Sequence, residues 1–180
     1  MTFTQTAIAG VQVVDMPVFH DERGSFSPAW VAESFKARGL EADVAQFSIA
    51  TNFRRGTIRG LHYQVRPFEE AKTIRVVKGA IFDVAVDVRH DSPTFGQWVG
   101  VDLEEGDRRL LYLARGIAHG YQTLSDNTEV SYLVSTPYSP EHQRGLRWDD
   151  PALGIRWPLG APTAINERDR TYPDFPPASR

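Results

Sequence analysis

Hydrophobic and polar residues alternate with a period of two along most of this chain, the spacing of strands that show one face to a core. Ala80–Val88 is the clearest case. Phe82, Val84, Val86 and Val88 fall on one face and Ile81, Asp83, Ala85 and Asp87 on the other, so both faces are largely apolar. Further strands are predicted at Val11–Val14, Gln46–Thr51, Thr73–Val77, Trp98–Leu103, Arg109–Leu113 and Val130–Ser135. Turn clusters separate them, among them Arg55-Gly56, Ser92-Pro93-Thr94-Phe95-Gly96, Glu105-Gly106-Asp107 and Ser125-Asp126-Asn127. Lys78-Gly79 reads as the turn joining two neighbouring strands.

Helical spacing is scarce. It is confined to Pro28–Arg38, where Pro28 suits a first turn, Val31 and Phe35 share a face and Gly39 supplies the stop, and to one turn at Asn166–Arg170. Many short strands with little helix make an all-β sandwich, jelly roll or barrel. From Pro137 on, prolines break the pattern, and this Pro-rich C-terminal arm is expected to pack irregularly over a sheet. No linker or repeat interrupts the chain, so residues 1–180 read as a single domain.

Charge and composition narrow the function. Lys and Arg number 20 against 23 Asp and Glu, a formal net charge of −3. That balance argues against nucleic-acid or anionic-membrane binding, which both need a basic surface, but permits a local arginine cluster for a small anion. The absence of cysteine excludes disulfides, thiolate metal sites and cysteine nucleophiles. No apolar run approaches the ~20 residues of a membrane span, and the first residues lack the basic start of a signal peptide, so a cytoplasmic location is expected. Glycine-rich dinucleotide and phosphate loops, the nucleophile-elbow motif and the zinc-protease motif are all missing.

What remains is a set of polar residues embedded in strands. Arg59-Gly60-Leu61-His62-Tyr63-Gln64 places a guanidinium and an imidazole three apart. Strict alternation sends them to opposite faces, so lining one cavity requires a bulge, for which Gly60 is the natural place. Lys72 shares a face with Ile74 and Val76; Asp83 sits in an apolar strand; His119 lies in Gly116-Ile117-Ala118-His119-Gly120; Tyr132 lies between Val130 and Val134. Each alone reads more simply as a structural histidine, a core tyrosine or an ion pair. Together they are the inventory for moving protons at carbon next to a carbonyl. The stretch Gly106–His119 is similar to a metal-binding half-motif, but Gln64 stands where its first half would carry a second histidine, and no third strong ligand is evident. No metal is expected.

Several blocks, in order, resemble the dTDP-4-dehydrorhamnose 3,5-epimerase family: Arg23-Gly24-Ser25-Phe26, Gly56–Gln64, Ile81–Asp87, Ser92–Gly96, Ala118-His119-Gly120, Ser139–His142 and Arg147–Pro151. The resemblance implies a cupin-like jelly-roll barrel with short peripheral helices, a homodimer with exchanged N-terminal strands, and no metal or organic cofactor. The implied substrate is a nucleoside-diphosphate 4-keto-6-deoxy sugar, inverted at C3 and/or C5 through an enolate. In this reading His62 is the base, Asp169 orients it, Tyr132 is the acid on the other face, Lys72 faces the enolate oxygen, Asp83 supports Lys72, and His119 bonds substrate. Arg59 and Arg23 hold the diphosphate, Arg23 from the neighbouring subunit, while Phe26, Gln46, Ser48, Tyr138, Gln143 and Arg168 contribute to nucleotide binding. Three positions depart from the family pattern. Pro28 and Gln143 stand where glutamates are usual, and Gln46-Phe47-Ser48-Ile49 replaces a Gln-x-Asn signature. Alternatives are a single-centre epimerase, a 3,4-ketoisomerase on the same fold, or a non-catalytic sugar-nucleotide-binding paralogue; Tyr132 favours inversion.

Overall fold

A computed structural model describes residues 1–175; Pro176 and Pro177, part of the expected C-terminal arm, lie outside the described residues. The strands are β1 (Thr2–Gln5), β2 (Val11–Asp15), β3 (Phe19–Asp21), β4 (Gly24–Phe26), β5 (Gln46–Asn52), β6 (Ile58–Gln64) and β7 (Lys72–Lys78). They continue with β8 (Ala80–Asp87), β9 (Trp98–Glu104), β10 (Arg109–Leu113), β11 (Ile117–Thr123), β12 (Thr128–Val134) and β13 (Gln143–Gly145). The helices are α1 (Ala32–Lys36) and α2 (Glu167–Arg170). Two antiparallel sheets carry the fold, ordered β1-β2-β10-β7-β12-β5 and β13-β6-β11-β8-β9, with β3 and β4 as a separate hairpin.

The main core lies between the sheets, where Val11, Ile74, Leu111 and Val130 of the first meet Ile81, Ala85, Val101 and Ile117 of the second. The opposite faces are covered as well. Val84 and Val86 of β8 pack with Ile58, Leu61, Ala118, Leu153 and Trp157, so the C-terminal arm closes the outer face of the second sheet. Phe35 of α1 does the same for the first, against Val14, Leu110 and Tyr112. This double covering is why β8 is apolar on both sides, as its alternation requires.

Two expectations are corrected. Helix occupies only Ala32–Lys36 of the predicted Pro28–Arg38, because the residue at its N-cap, Val31, is extended (φ −136°) and offers no side-chain cap. Gly39 does end it, in the left-handed conformation (φ +68°), so that the Leu40 N–H returns to the Phe35 carbonyl at 3.1 Å. Lys78-Gly79 is a turn, but the strands it joins lie in different sheets. It carries the chain across the sandwich, and the neighbours of β8 are β9 and β11.

Candidate active site

The two sheets splay apart over a cavity of about 260 Å³. One wall is β6 and β11, with Arg59, His62 and His119; the other is β5, β7 and β12, with Gln46, Lys72 and Tyr132. Arg59 and His62 reach one cavity through the irregularity expected at Gly60. His119 registers with His62 and Tyr121 with Arg59, so two residues intervene on β6 against one on β11. Gly60 has φ +118° and its backbone lies against that of Gly120; a built Cβ would stand 2.5 Å from the Gly120 Cα, so no larger residue fits.

Asp169 holds His62. Its Oδ1 lies 2.7 Å from His62 Nε2, and its Oδ2 accepts the Gly60 N–H at 3.0 Å. The capping side chain of Asn166, which accepts from the Asp169 N–H at 2.7 Å, fixes this carboxylate at the first turn of α2. Burial opposes the carboxylate's charge most strongly. The His62 bond and charge and the Gly60 N–H nevertheless hold its pKa below the ordinary value. An ionised carboxylate only accepts, so Nε2 carries the imidazole proton and Nδ1 is the basic nitrogen. The geometry is that of an oriented general base.

Tyr132 stands on the opposite wall. Burial, reinforced by its contact with Tyr121 and by the charge of Asp83, pushes its pKa well above that of an ordinary tyrosine, so it is a protonated donor throughout the neutral range. Lys72 Nζ donates to the His62 carbonyl at 3.1 Å and pairs with Glu70 at 2.9 Å. Asp83 does not support Lys72. It bonds His119 Nε2 at 2.5 Å, because the change of sheet at Gly79 puts β8 beside β11. His119 is consequently a buried, fixed side chain on the cavity wall.

Of the remaining expected residues, Tyr138 and Gln143 line the mouth of the cavity, Gln46 lines its wall, and the others lie beside it or away from it. Tyr138 donates to Gln143 Oε1 at 2.7 Å, and Arg168 Nη1 reaches the Tyr138 hydroxyl at 3.5 Å. Gln46 bonds Ser48 at 2.7 Å; Ser48 lies directly opposite Tyr132 on β5 but does not line the cavity. Arg23 and Phe26 sit on the exposed β3–β4 hairpin, where Arg23 pairs with Asp21 at 2.5 Å, and neither lines the cavity of its own chain. Sequence reasoning missed Glu70, Asn52 and Tyr121. Alternation could have found two of them, since Glu70 and Lys72, like His119 and Tyr121, are two apart in extended chain. Among the described residues no three His, Asp or Glu side chains gather as a metal centre would require.

The sequence profile of dTDP-4-dehydrorhamnose 3,5-epimerase matches residues 5–176. The chain belongs to that family. It is 42% identical over 175 residues to the dTDP-4-dehydrorhamnose 3,5-epimerase of Sinorhizobium fredii, covering 97% of this chain and 90% of that protein. The crystal structure of the Bacillus anthracis enzyme with TDP and pyrophosphate bound superposes with a TM-score of 0.92 at 36% identity, over 97% of this chain and 99% of that one. The 3'-monoepimerase of Streptomyces bikiniensis, solved with dTDP-quinovose, superposes at 0.88 and 33% identity over 95% of this chain and 86% of that one. This family member has the all-β, cupin-like sandwich that the resemblance implied, and no helix among its described residues is long and apolar enough to cross a membrane.

Proposed function

We propose that this family member is an isomerase that inverts C3 and C5 of a dTDP-linked 4-keto-6-deoxyhexose. The ketone acidifies the hydrogens on both carbons, so a base can remove either one as a proton. The C–H electron pair moves into the ring bond to C4 and the carbonyl pair onto oxygen, giving an enolate. Protonation from the other face restores the ketone and inverts the carbon. In this reading His62 Nδ1 takes the proton, Asp169 stabilises the imidazolium, Tyr132 delivers a proton from the opposite wall, and the Lys72 ammonium faces the enolate oxygen, where fixed charge in a closed cavity counts most. Arg59, Tyr138 and Arg168 hold the nucleotide at the mouth. The observation that carries the proposal is the placement of an oriented base and a protonated tyrosine on opposing walls of one cavity.

The experiment is solvent deuterium exchange with dTDP-4-keto-6-deoxyglucose followed by proton NMR. Exchange with inversion at both C3 and C5 is the expected result. Exchange at one carbon only establishes a single-centre epimerase, a reading supported by the similarity to the Streptomyces 3'-monoepimerase. Binding without exchange would leave a sugar-nucleotide-binding protein and overturn the proposal.

A homodimer completes the proposal. The edge strand β5 leaves Phe47 and Ile49 exposed, in register with Leu133 and Ser131 of β12 and beside Val77. On that same face the Arg75 Nε is buried without a partner. A second copy would cover this face. We read the exchanged segment as the β3–β4 hairpin, since β1 pairs in full register with β2 of its own chain, and that hairpin would carry Arg23 and Phe26 to the neighbouring cavity.

A further inference from the structure

Gln64 ends β6 two residues after His62, and both side chains line the cavity. It is the position at which an amide stands in place of the second histidine of a metal-binding half-motif. Gln64 is 5% exposed, and backbone groups occupy its amide. Nε2 donates to the Phe68 carbonyl at 2.8 Å and to the Pro137 carbonyl at 3.3 Å, while Oε1 accepts the Ser139 N–H at 2.6 Å. Pro137 and Ser139 flank Tyr138. In extended chain a carbonyl and the N–H two residues on point to the same side, so one carboxamide can take both, as a neighbouring strand would. A glutamate lacks the donor for this and a histidine the adjacent donor and acceptor, so the residue type matches the task.

The bond to Phe68 joins this clamp to the turn that follows β6. There the Phe68 N–H bonds the Val65 carbonyl at 3.0 Å, and the Val65 N–H bonds the His142 carbonyl at 3.0 Å. The His142 ring packs on Phe68 with centroids 4.4 Å apart, and its Nδ1 lies 2.7 Å from Ser139 Oγ. Gln143 then pairs directly with Gln64 across β13 and β6. The segment 137–143 is therefore tied along its length to the strand that carries His62. Tyr138 itself is 53% exposed, so packing of its ring does little to place it, and the peptide groups on either side do.

We propose that Gln64 is a positioning residue for nucleotide binding, its amide fixing the peptide groups on both sides of Tyr138 before the nucleotide arrives. The inference rests on the reading of Tyr138 as a nucleotide contact. Gln64 acts through Tyr138 and moves no proton, so its effect falls on affinity. A backbone already held at Tyr138 spares the nucleotide the cost of ordering that segment on binding.

The test is Gln64→Met, which keeps the length and most of the volume of the side chain and loses its three bonds. Calorimetry with dTDP gives Kd, and turnover of saturating dTDP-4-keto-6-deoxyglucose gives kcat. Kd should rise about five- to thirtyfold, while kcat stays within about threefold of wild type. In a Tyr138→Ala background the same substitution should change Kd by less than about twofold, because the group it places is gone. A general loosening of the fold would weaken binding in both backgrounds. A second measurement needs no variant: in wild-type protein without ligand, the Ser139 amide should exchange with D2O at least about a hundredfold more slowly than an open peptide. An unprotected Ser139 amide, an unchanged Kd, or an equal loss in both backgrounds overturns the inference. Tyr138→Ala binding dTDP as tightly as wild type would remove Tyr138 from nucleotide binding, and this inference with it.

Discussion

Asp169→Asn isolates the proposed base, His62, from everything else in the cavity. The carboxylate serves two donors at once, His62 Nε2 at 2.7 Å and the Gly60 N–H at 3.0 Å. Asparagine has one oxygen for the two places. The buried Gly60 N–H left unpaired would cost about 1–3 kcal/mol, so the oxygen stays there and the amide nitrogen turns to His62. The imidazole must then accept at Nε2, which moves its proton to Nδ1, the nitrogen proposed to take the substrate proton. The imidazolium also loses a charge-assisted bond worth about 1.5–3 kcal/mol, or roughly 10- to 150-fold in rate. The same exchange in a serine-protease triad, where the wrong tautomer is likewise enforced, costs about 10⁴-fold. The His62 side chain is 31% exposed, so solvent compensates part of the loss, and a fall of about 10²–10³-fold is expected here. The assay is the initial rate of deuterium incorporation at C3 and C5, with thermal unfolding to confirm an intact fold. A folded Asp169→Asn variant within tenfold of wild type would refute the assignment of His62 as a base held by Asp169.

Other outcomes follow from the same geometry. His62→Ala should abolish exchange at every centre, whereas Tyr132→Phe should spare exchange at one or more centres and block inversion, both read by NMR in D2O. Asp87, fully buried and bonded to Arg89, Ser92 and Thr94, has its pKa lowered from 3.8 to about 2, where burial alone would have raised it. Its stabilisation of about 2 kcal/mol is therefore present above pH ~4 and lost as pH falls through about 2; Asp87→Asn should lower wild-type stability at neutral pH and flatten its decline over that window, as measured by urea unfolding. Phe47→Asp on the exposed face of β5 should convert the proposed homodimer to a monomer in sedimentation, and a wild-type monomer with full activity would refute the dimer. With the glutamates usual at Pro28 and Gln143 absent, calorimetry should show dTDP preferred over UDP by less than tenfold, and a hundredfold preference would contradict this.

Alternation made much of the fold legible, and its failures share one cause. Arg109–Leu113 falls where the pattern puts it and the other expected strands lie within two residues of theirs, since buried strands must repeat every second residue. The bulge at Gly60 was legible too, because only an interruption could bring Arg59 and His62 to one cavity. Which sheet a strand joins leaves no mark in a local pattern. Reading Lys78-Gly79 as a hairpin sets β8 beside β7 and Asp83 near Lys72. The actual crossover gives Asp83 to His119, and Lys72 finds Glu70 instead. The strands β1, β3, β4 and β13 escaped notice because they are short and, apart from Gly145, partly or fully exposed, with no apolar face to repeat. His62 and Asp169, 107 residues apart, were paired through the family resemblance, as no spacing along the chain connects them.

The cavity has two parts that differ in how their groups are held. On its walls the ionisable side chains rest on a second one: His62 on Asp169, His119 on Asp83 and Lys72 on Glu70, while Tyr132 stands on the cavity wall with Arg59 and Tyr121, which are joined through Asn52. Those supports lie in the protein interior, so the chemistry is arranged before any substrate arrives, the condition under which fixed charges favour a transition state over a ground state. At the mouth the groups are exposed: Tyr138 and Arg168 hold each other loosely at 3.5 Å, and Arg23 and Phe26 wait on a solvent-facing hairpin. Under the proposed function, their final geometry would come from the nucleotide and from a second subunit. Substitutions on the walls should therefore appear in kcat and those at the mouth in KM. It also follows that a departure from the family pattern at the mouth, such as Gln143, can alter which nucleotide is held without touching the reaction performed on its sugar.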